Sequence, residues 1–570
     1  MATGYGDSHN TLEEFDEQIK KAKREVKELE YRRNLRVPIC RLPVEILGRI
    51  FMFSTFYDSW AFSRAKFPKV MHVCRLWRTI AQNTPSMWSK PLFTRPTVAR
   101  EMMKYSKSAP LDIEWGSYGY GDIQQKHFDL LLEAVEQPSR VSSLVLHCQS
   151  SDLTRLLSRL VHSTPSIHRL SLEVMDDGFY VPPDNFLGGD APRLTDFETR
   201  GCGIPWGSPI LKNLTRFSIT RSCSPSAATS LEQVAASMQA MTALEELNMA
   251  DFITSHSNIA LSDNVKVVLP RLKNMRLSSR GMAVATLLYH MSFPDTTVIH
   301  LEIPQLDDAQ DLLANYLSGL FSDTQNGTHP RTIRTLHILR GSGYNLELVA
   351  HGGSLSSPFR FQCQIGKETW SDPLPIKQRL LDGLGPLTSL EALYTSCFLP
   401  QDTLFQRFGN LPVLQRIDVS YESELALEVV KSLAHNLFRS SMTTRKTRKG
   451  QNAKSKAKAT KVKKRSTTQP IVYPALEILA MSEVDFSDLV DPLIDSLRSR
   501  SEHASSVKVI LENCTNLYSD DFQRIKDQVD DDIDWDGIET DGVETEEECV
   551  YDPDVYDYDG AYDSDQDYYW

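Results

Sequence analysis

Asp532, Asp534 and Asp536, at alternate positions and followed by Gly537, begin the pattern of a calcium loop, in which carboxylate and carbonyl oxygens wrap a hard divalent cation. The twelfth position of such a loop needs a glutamate that gives both oxygens. Here it is Val543, with Glu544 one residue late and no flanking helices evident, so calcium binding is not expected. Nine cysteines are scattered singly without a C-x-x-C pair, and the 14 histidines never approach a Cys/His metal spacing. His290 and His300 lie beside apolar runs and read as packed or surface histidines. No H-E-x-x-H, G-x-S-x-G or phosphate-loop signature occurs. No catalytic residue, metal or cofactor is therefore expected, and the chemistry left to explain is that of binding.

The elements that would carry it are distributed over 570 residues and 64.6 kDa, which suggests about 3 to 4 domains or one long repeat array. The longest stretch free of Asp, Glu, Lys and Arg, Gly281 to Pro294, is only 14 residues, too short for a membrane span. No secretory signal is visible, so a reducing compartment with free thiols, cytoplasmic and/or nuclear, is expected, with the sequons at Asn213, Asn326 and Asn513 unused. The net charge of −13 is unevenly spread. Asp527 to Trp570 holds nineteen acids and no base, whereas Arg445 to Arg465 holds eleven bases and no acid.

Residues 1–10 read as a flexible lead. In the charged segment 11–36, Leu12, Phe15, Ile19, Ala22, Val26 and Leu29 step by three and four, an a/d seam on one helix. The seam serves self-association, or the helix folds back on the next domain; its length, under three heptads, favours folding back. In residues 37–95, Pro43 and Glu45 suit the first turn of a helix whose Ile46, Leu47, Ile50 and Phe51 form an apolar stripe. A second helix carries Val70, Val73, Trp77 and Ile80 on one face, extended by Cys74 and Ala81; Pro85 stops it and Trp88 follows as an anchor. A unit this small is marginal alone and needs a partner surface or the domain that follows.

The run LPVEILGRIF followed by HVCRLWRTIAQNTPSMWS resembles the F-box of fungal F-box-like proteins. The resemblance covers roughly residues 11 to 95 and implies docking on the Skp-type adaptor of an SCF-type ubiquitin ligase, and through it contact with cullin and RING subunits. By position it implies adaptor contact by Leu42, Pro43, Ile46, Leu47, Ile50 and Phe51. Val73, Cys74, Trp77 and Trp88 would support the helices or reach the interface. A receptor of this kind has no catalytic residue and acts by proximity.

From residue 100 to 518 a pattern of apolar, two others, apolar, one other, apolar keeps returning. It is clearest at Ile167-Leu170-Leu172, Leu214-Phe217-Ile219, Leu244-Leu247-Met249, Leu272-Met275-Leu277, Val298-Leu301-Ile303, Ile333-Leu336-Ile338 and Leu414-Ile417-Val419. The spacing lies near the leucine-rich-repeat period. Cys148, Cys223, Cys397 and Cys514 follow such strands, where a polar side chain satisfies backbone groups inside the turn. The expected fold is α/β: an N-terminal helical F-box, then an irregular solenoid with parallel strands inside and helices outside, such as 152–161 and 231–239. Exposed positions between the apolar ones, Arg169, Ser171, Arg216, Ser218, Arg276, Arg334 and Arg416, would line a concave surface that binds an as yet unknown protein substrate.

Segment 440–468 is a disordered basic insertion by composition, and Lys461, Lys463, Lys464 and Arg465 read as a nuclear import signal or a solvated loop. It lacks the interleaved aromatics that base stacking uses, which argues against nucleic acid as a partner. Residues 521–570 read as a disordered acidic tail that opposite charge would draw to the basic insertion. The function expected is substrate recognition within an SCF-type ligase. The alternative is a repeat scaffold or regulator that binds the adaptor without delivering substrate; a nuclear nucleic-acid-associated factor is more distant.

Overall fold

The computed structural model describes residues 12–56, 69–116, 125–183, 185–203, 206–221, 229–253, 259–306, 309–321, 332–340, 344–354, 357–366, 374–434, 472–501, 505–529 and 532–541. Two compact units are present, Met1–Leu390 and Glu391–Trp570.

The first unit opens with helices α1 (Leu12–Asn34), α2 (Val44–Phe56), α3 (Arg75–Gln82) and α4 (Pro96–Tyr105), with 3-10 turns at Pro38–Arg41, Lys69–His72 and Pro85–Trp88. Strands follow: β1 (Leu111–Gly116), β2 (Val141–Cys148), β3 (Arg169–Val174), β4 (Asp196–Arg200), β5 (Arg216–Thr220), β6 (Glu246–Ala250), β7 (Val267–Val268), β8 (Asn274–Ser278), β9 (Met291–Ser292), β10 (Val298–Ile303), β11 (Ile333–Leu339), β12 (Tyr344–Ser354) and β13 (Ser357–Gly366). Apart from the small β7–β9 pair, β1 to β10 join side by side in chain order, each parallel to the next.

Alternation of side chains makes the register visible in the core. Leu144, Leu170, Phe197, Phe217, Leu247, Met275 and Ile299 form one continuous buried row across β2 to β10. The next inward row is Leu146, Leu172, Thr199, Ile219, Met249, Leu277 and Leu301. Burying each such aliphatic side chain contributes about 1.5–3 kcal/mol. Helices Gln125–Val135, Ser150–Leu157, Leu231–Gln239 and Gly281–Tyr289 supply apolar faces between strands. Leu231–Gln239 starts at a capping box: Ser230 Oγ accepts from the Gln233 amide, and the Gln233 side chain accepts from the Ser230 amide. The helix expected over 152–161 is Ser150–Leu157, and β3–β4 and β4–β5 are joined through 3-10 turns at Phe186–Gly189 and Pro209–Leu211.

Two expectations from the repeat pattern need correction. The frame at Val298 is displaced by two: Ile299 and Leu301 align with Met275 and Leu277, and Val298 is exposed. A two-residue slip keeps the same face, so the pattern alone cannot detect it. Ile333–Ile338 is also not another simple parallel repeat. It opens the meander β11–β12–β13, in which β12 runs antiparallel to both neighbours and β13 pairs parallel with β10.

The second unit holds the parallel strands β14 (Ala392–Thr395), β15 (Arg416–Ser420), β16 (Ile478–Ser482), β17 (Lys508–Glu512) and β18 (Ile533–Trp535). Helices Ser423–Leu433 and Val490–Ser501 bury Leu425, Val429, Leu493 and Leu497 between them and the strands. The expected disordered tail from 521 is folded as far as it is described. Helix Ser519–Gln528 buries Ile525, and Phe522 lies 5.0 Å from Trp535 of β18. Few apolar residues suffice because β17 offers β18 a ready hydrogen-bonding edge. Residues 542–570 and the basic segment 440–468 lie outside the described residues.

The strands share a closing device. Gly201, Arg221 and Asp251 directly follow β4, β5 and β6, and Tyr421, Glu483 and Asn513 directly follow β15, β16 and β17, all with φ between 49 and 71°. Most of their amides extend the ladder: Gly201 donates to Thr220, Arg221 to Ala250, Asp251 to Ser278, Tyr421 to Ser482 and Glu483 to Glu512. Only Gly201 adopts this conformation without steric cost, and a Cβ there would stand 3.0 Å from the Val174 Cβ. Gly201→Ala is expected to cost about 1–2 kcal/mol, read as a lowered urea midpoint with an unchanged circular-dichroism spectrum.

Candidate functional site

The helical region splits its apolar side chains between a core and a surface. Leu47 and Phe51, one turn apart on α2, are completely buried with Met71, Ile80, Ala81, Met87 and Trp88. Phe51 packs against Trp77 with ring centroids 4.8 Å apart and the ring planes tilted by 47°. The Trp88 indole Nε1 donates to the Ala81 carbonyl at 2.7 Å, which satisfies its one polar atom and ties the anchor to the end of α3. Trp88 also packs on Tyr105 of α4 at 5.1 Å, and Met102 of α4 joins the core. The helical core therefore runs past residue 95 to include α4. The Asp112 amide, donating to the Ser89 carbonyl at 2.8 Å, then joins it to β1. The small unit thus has the support that burial arithmetic requires.

The other face of α2 is open. Leu42, Ile46 and Ile50 are 39%, 42% and 40% exposed, and Phe53, at the next helical step, is 69% exposed. Pro43 is exposed as well, Val73 stands out ahead of α3, and Cys74 and Trp77 are half-buried.

On the sheet the side opposite the helices carries polar rows in the same register. Arg169, Asp196 and Arg216 are direct neighbours on β3, β4 and β5, and Asp196 accepts from Arg216 at 2.8 Å and lies 3.6 Å from Arg169. In a parallel row Glu173 lies 3.1 Å from His147 and 3.5 Å from Arg200. Arg276 pairs with Glu302 at 3.3 Å. Between these rows Ser218 accepts from the Asn248 amide at 3.1 Å. A groove of ≈ 410 Å³ follows this face, its walls including Glu114, Arg169, Glu198, Arg200, Ser218 and Asn248. At the far edge His300 meets Gln362 at 3.0 Å, and burial holds its pKa below the usual imidazole range.

Buried cysteines line the strand ends. Cys202 Sγ faces the Leu172 and Arg200 carbonyls at 3.9 and 3.7 Å, and Cys514 Sγ faces those of Met481 and Glu512 at 3.6 Å each. Burial pushes Cys148 and Cys202 up to about 12 and Cys514 up to about 11, so these thiols stay protonated. Cys202 and Cys514 offer weak donors to backbone oxygens, the role read for Cys514 from sequence, whereas Cys148 is the last residue of β2 itself and Cys223 lies outside the described residues.

Residues 39–94 match the F-box-like family model. This part of the chain is an F-box-like domain. No curated protein matches the chain. The match supports a role in adaptor docking.

The F-box-like domain sorts the residues implied for adaptor contact. Leu42, Pro43, Ile46, Ile50 and Val73 are available at the surface. Leu47, Phe51 and Trp88 are not, because they are the domain's own core. Phe53 belongs with the exposed set; Ile46, Ile50 and Phe53 follow the i, i+4, i+7 rule, a signal present in the sequence. Among the sheet residues, Arg169, Arg216, Arg276 and Arg334 are exposed and Ser218 is half-buried, but Ser171 is buried between its neighbours. In the second unit Arg416 is half-buried and clamped on Asp418 at 2.7 and 2.9 Å. Lys461, Lys463, Lys464 and Arg465 lie outside the described residues.

The calcium-like triplet is used differently. Asp534 lies in β18, and Asp536 accepts from the Asn513 amide at 2.6 Å and the Ile538 amide at 3.0 Å. No group of His, Cys, Asp and Glu among the described residues is placed to hold a metal ion, and no described helix is long and apolar enough to cross a membrane.

Leu47→Ala is expected to cost about 2–5 kcal/mol through the cavity it leaves. Ile46→Ala, one residue away, should stay within about 0.5 kcal/mol of the parent chain. Thermal melts of the two variants check the division into core and surface.

Proposed function

We propose that the chain is a substrate-recognition subunit of an SCF-type ubiquitin ligase. In this reading the F-box-like domain docks on a Skp-type adaptor, which joins it to cullin and RING subunits, and the leucine-rich-repeat-like region holds a protein substrate. The observation that carries it is the split personality of α2. Leu47 and Phe51 make the domain rigid from within, while Leu42, Ile46, Ile50 and Phe53 remain in water with no partner in the core. Large side chains held on a stiff platform are what a dry, high-affinity contact is built from.

Ile46→Glu/Ile50→Glu is the test, since both residues are exposed and the fold does not depend on them. Purified adaptor should be retained by the parent chain and lost by the variant at unchanged melting temperature. Retention by both, or by neither, counts against the docking reading.

For substrate capture the supporting observation is the open face of the first unit, where the groove lined by Arg169 adjoins a second one lined by Asp196 and Arg216, and the two exposed arginines share Asp196. Because the cations are already balanced by carboxylates, the matching partner is a mixed-charge protein surface rather than a polyanion. Arg169→Glu/Arg216→Glu should abolish capture of a ubiquitinated client in cells while adaptor binding persists, read by affinity purification with quantitative mass spectrometry. The same self-neutralised face also suits a scaffold that binds the adaptor without presenting a client. An unchanged client profile in the charge-reversed chain would favour that second reading.

A further inference from the structure

We propose that the chain forms a homodimer in which α1 pairs antiparallel with α1 of a second copy. The helix buries none of its residues in its own chain. Leu12, Phe15, Ile19, Val26 and Leu29 of its heptad seam are 49–85% exposed, so the expected folding back onto the next domain does not occur among the described residues. What attaches α1 to the domain lies on its outer side. Arg75 of α3 sits 3.8 Å from Glu28 and 5.1 Å over the Tyr31 ring. With Leu12 at a and Phe15 at d, Glu28 and Tyr31 fall at c and f, away from the seam. The tether therefore leaves the seam accessible.

The seam and its flanks are self-complementary about a two-fold axis between Ile19 and Ala22. An antiparallel pair sets Leu12 against Leu29, Phe15 against Val26, and Ile19 against the small Ala22, each combination occurring twice. On one flank it sets Asp16 against Lys23, and on the other Gln18 against Glu25. Neither Asp16 nor Lys23 makes an ion pair among the described residues, while nearby Lys20 and Arg32 already pair with Glu17 and Glu28. A parallel pair gains no ion pair on this flank and brings Glu25 against Glu30 of the other copy. A patch that matches itself under a two-fold is the requirement for an isologous dimer, and it is what selects a second copy over an unrelated helix. The dimer would join two F-box-like domains in one assembly.

Sedimentation velocity of the full chain over a concentration series tests this. The parent should show a concentration-dependent dimer. Ile19→Asp/Val26→Asp should be monomeric throughout, with unchanged melting temperature because both residues are exposed. Asp16→Lys and Lys23→Asp should each weaken dimerisation about tenfold, and the combined Asp16→Lys/Lys23→Asp chain should recover the parent behaviour. A parent that stays monomeric at every concentration, its seam covered by another segment such as 57–68, overturns the proposal. So does a dimer indifferent to the seam variant. A dimer strengthened by Glu25→Lys but unaffected by Asp16→Lys overturns the antiparallel arrangement.

Discussion

A strand has two sides, and parallel strands added in chain order by crossovers of one hand have their connecting segments on only one of them. That constraint organises the first unit. On the covered side the in-register positions must be apolar, and the rows through Leu170, Phe197 and Phe217 and through Leu172 and Ile219 comply. On the open side neighbouring strands lie about 4.8 Å apart, close enough for like charges to repel. The side chains there alternate in sign instead, as in Arg169, Asp196 and Arg216, or Glu173 and Arg200. The charge pattern of the groove is thus first a condition for the sheet to form. Any recognition it performs has to work with cations that already have partners.

The F-box-like domain solves a related problem with helices. A short α2 must provide both a core and a surface, and it does so with adjacent residues: Leu47 and Phe51 inward, Ile46 and Ile50 outward. The inward pair is fixed by Trp77 and by Trp88, whose indole is fastened to Ala81. Extension of this core into α4 through Met102 and Tyr105 makes the domain continuous with β1.

Much of this could be read from the residues. Period-two spacing located most strands and the face each would bury, and the placement of Pro43, Glu45 and Pro85 bounded the helices of residues 37–95. The F-box-like domain was legible because several motifs lie at fixed distances along 56 matched residues. What escaped had physical reasons. A stripe of adjacent apolar residues on α2 does not say which pair faces in, so Leu47 and Phe51 looked like contact residues. Ser171 looked exposed because a small polar residue can be covered by larger neighbours. The meander β11–β12–β13 was hidden because antiparallel and parallel strands share one alternation. Strand closure at Arg221 or Tyr421 was invisible because neither residue type favours a left-handed backbone. Acidic composition hid helix Ser519–Gln528 and strand β18, where Ile525, Ile533 and Trp535 suffice.

In the second unit the chain leaves helix Ser423–Leu433 and returns at Val472 and Tyr473, both fully buried. The return is pinned from two directions: the Tyr473 amide donates to the Gly409 carbonyl at 2.8 Å, and the buried Arg500 guanidinium donates to the Val472 and Tyr473 carbonyls at 2.8 Å each. Strand β16 therefore takes its register from a clasp and not from the length of the polypeptide leading to it. Closing a longer loop costs little, since the entropy grows only with the logarithm of its length. The start of β16 is consequently held by groups of the second unit's own core, and its place in the ladder does not depend on the number of residues between helix Ser423–Leu433 and Val472.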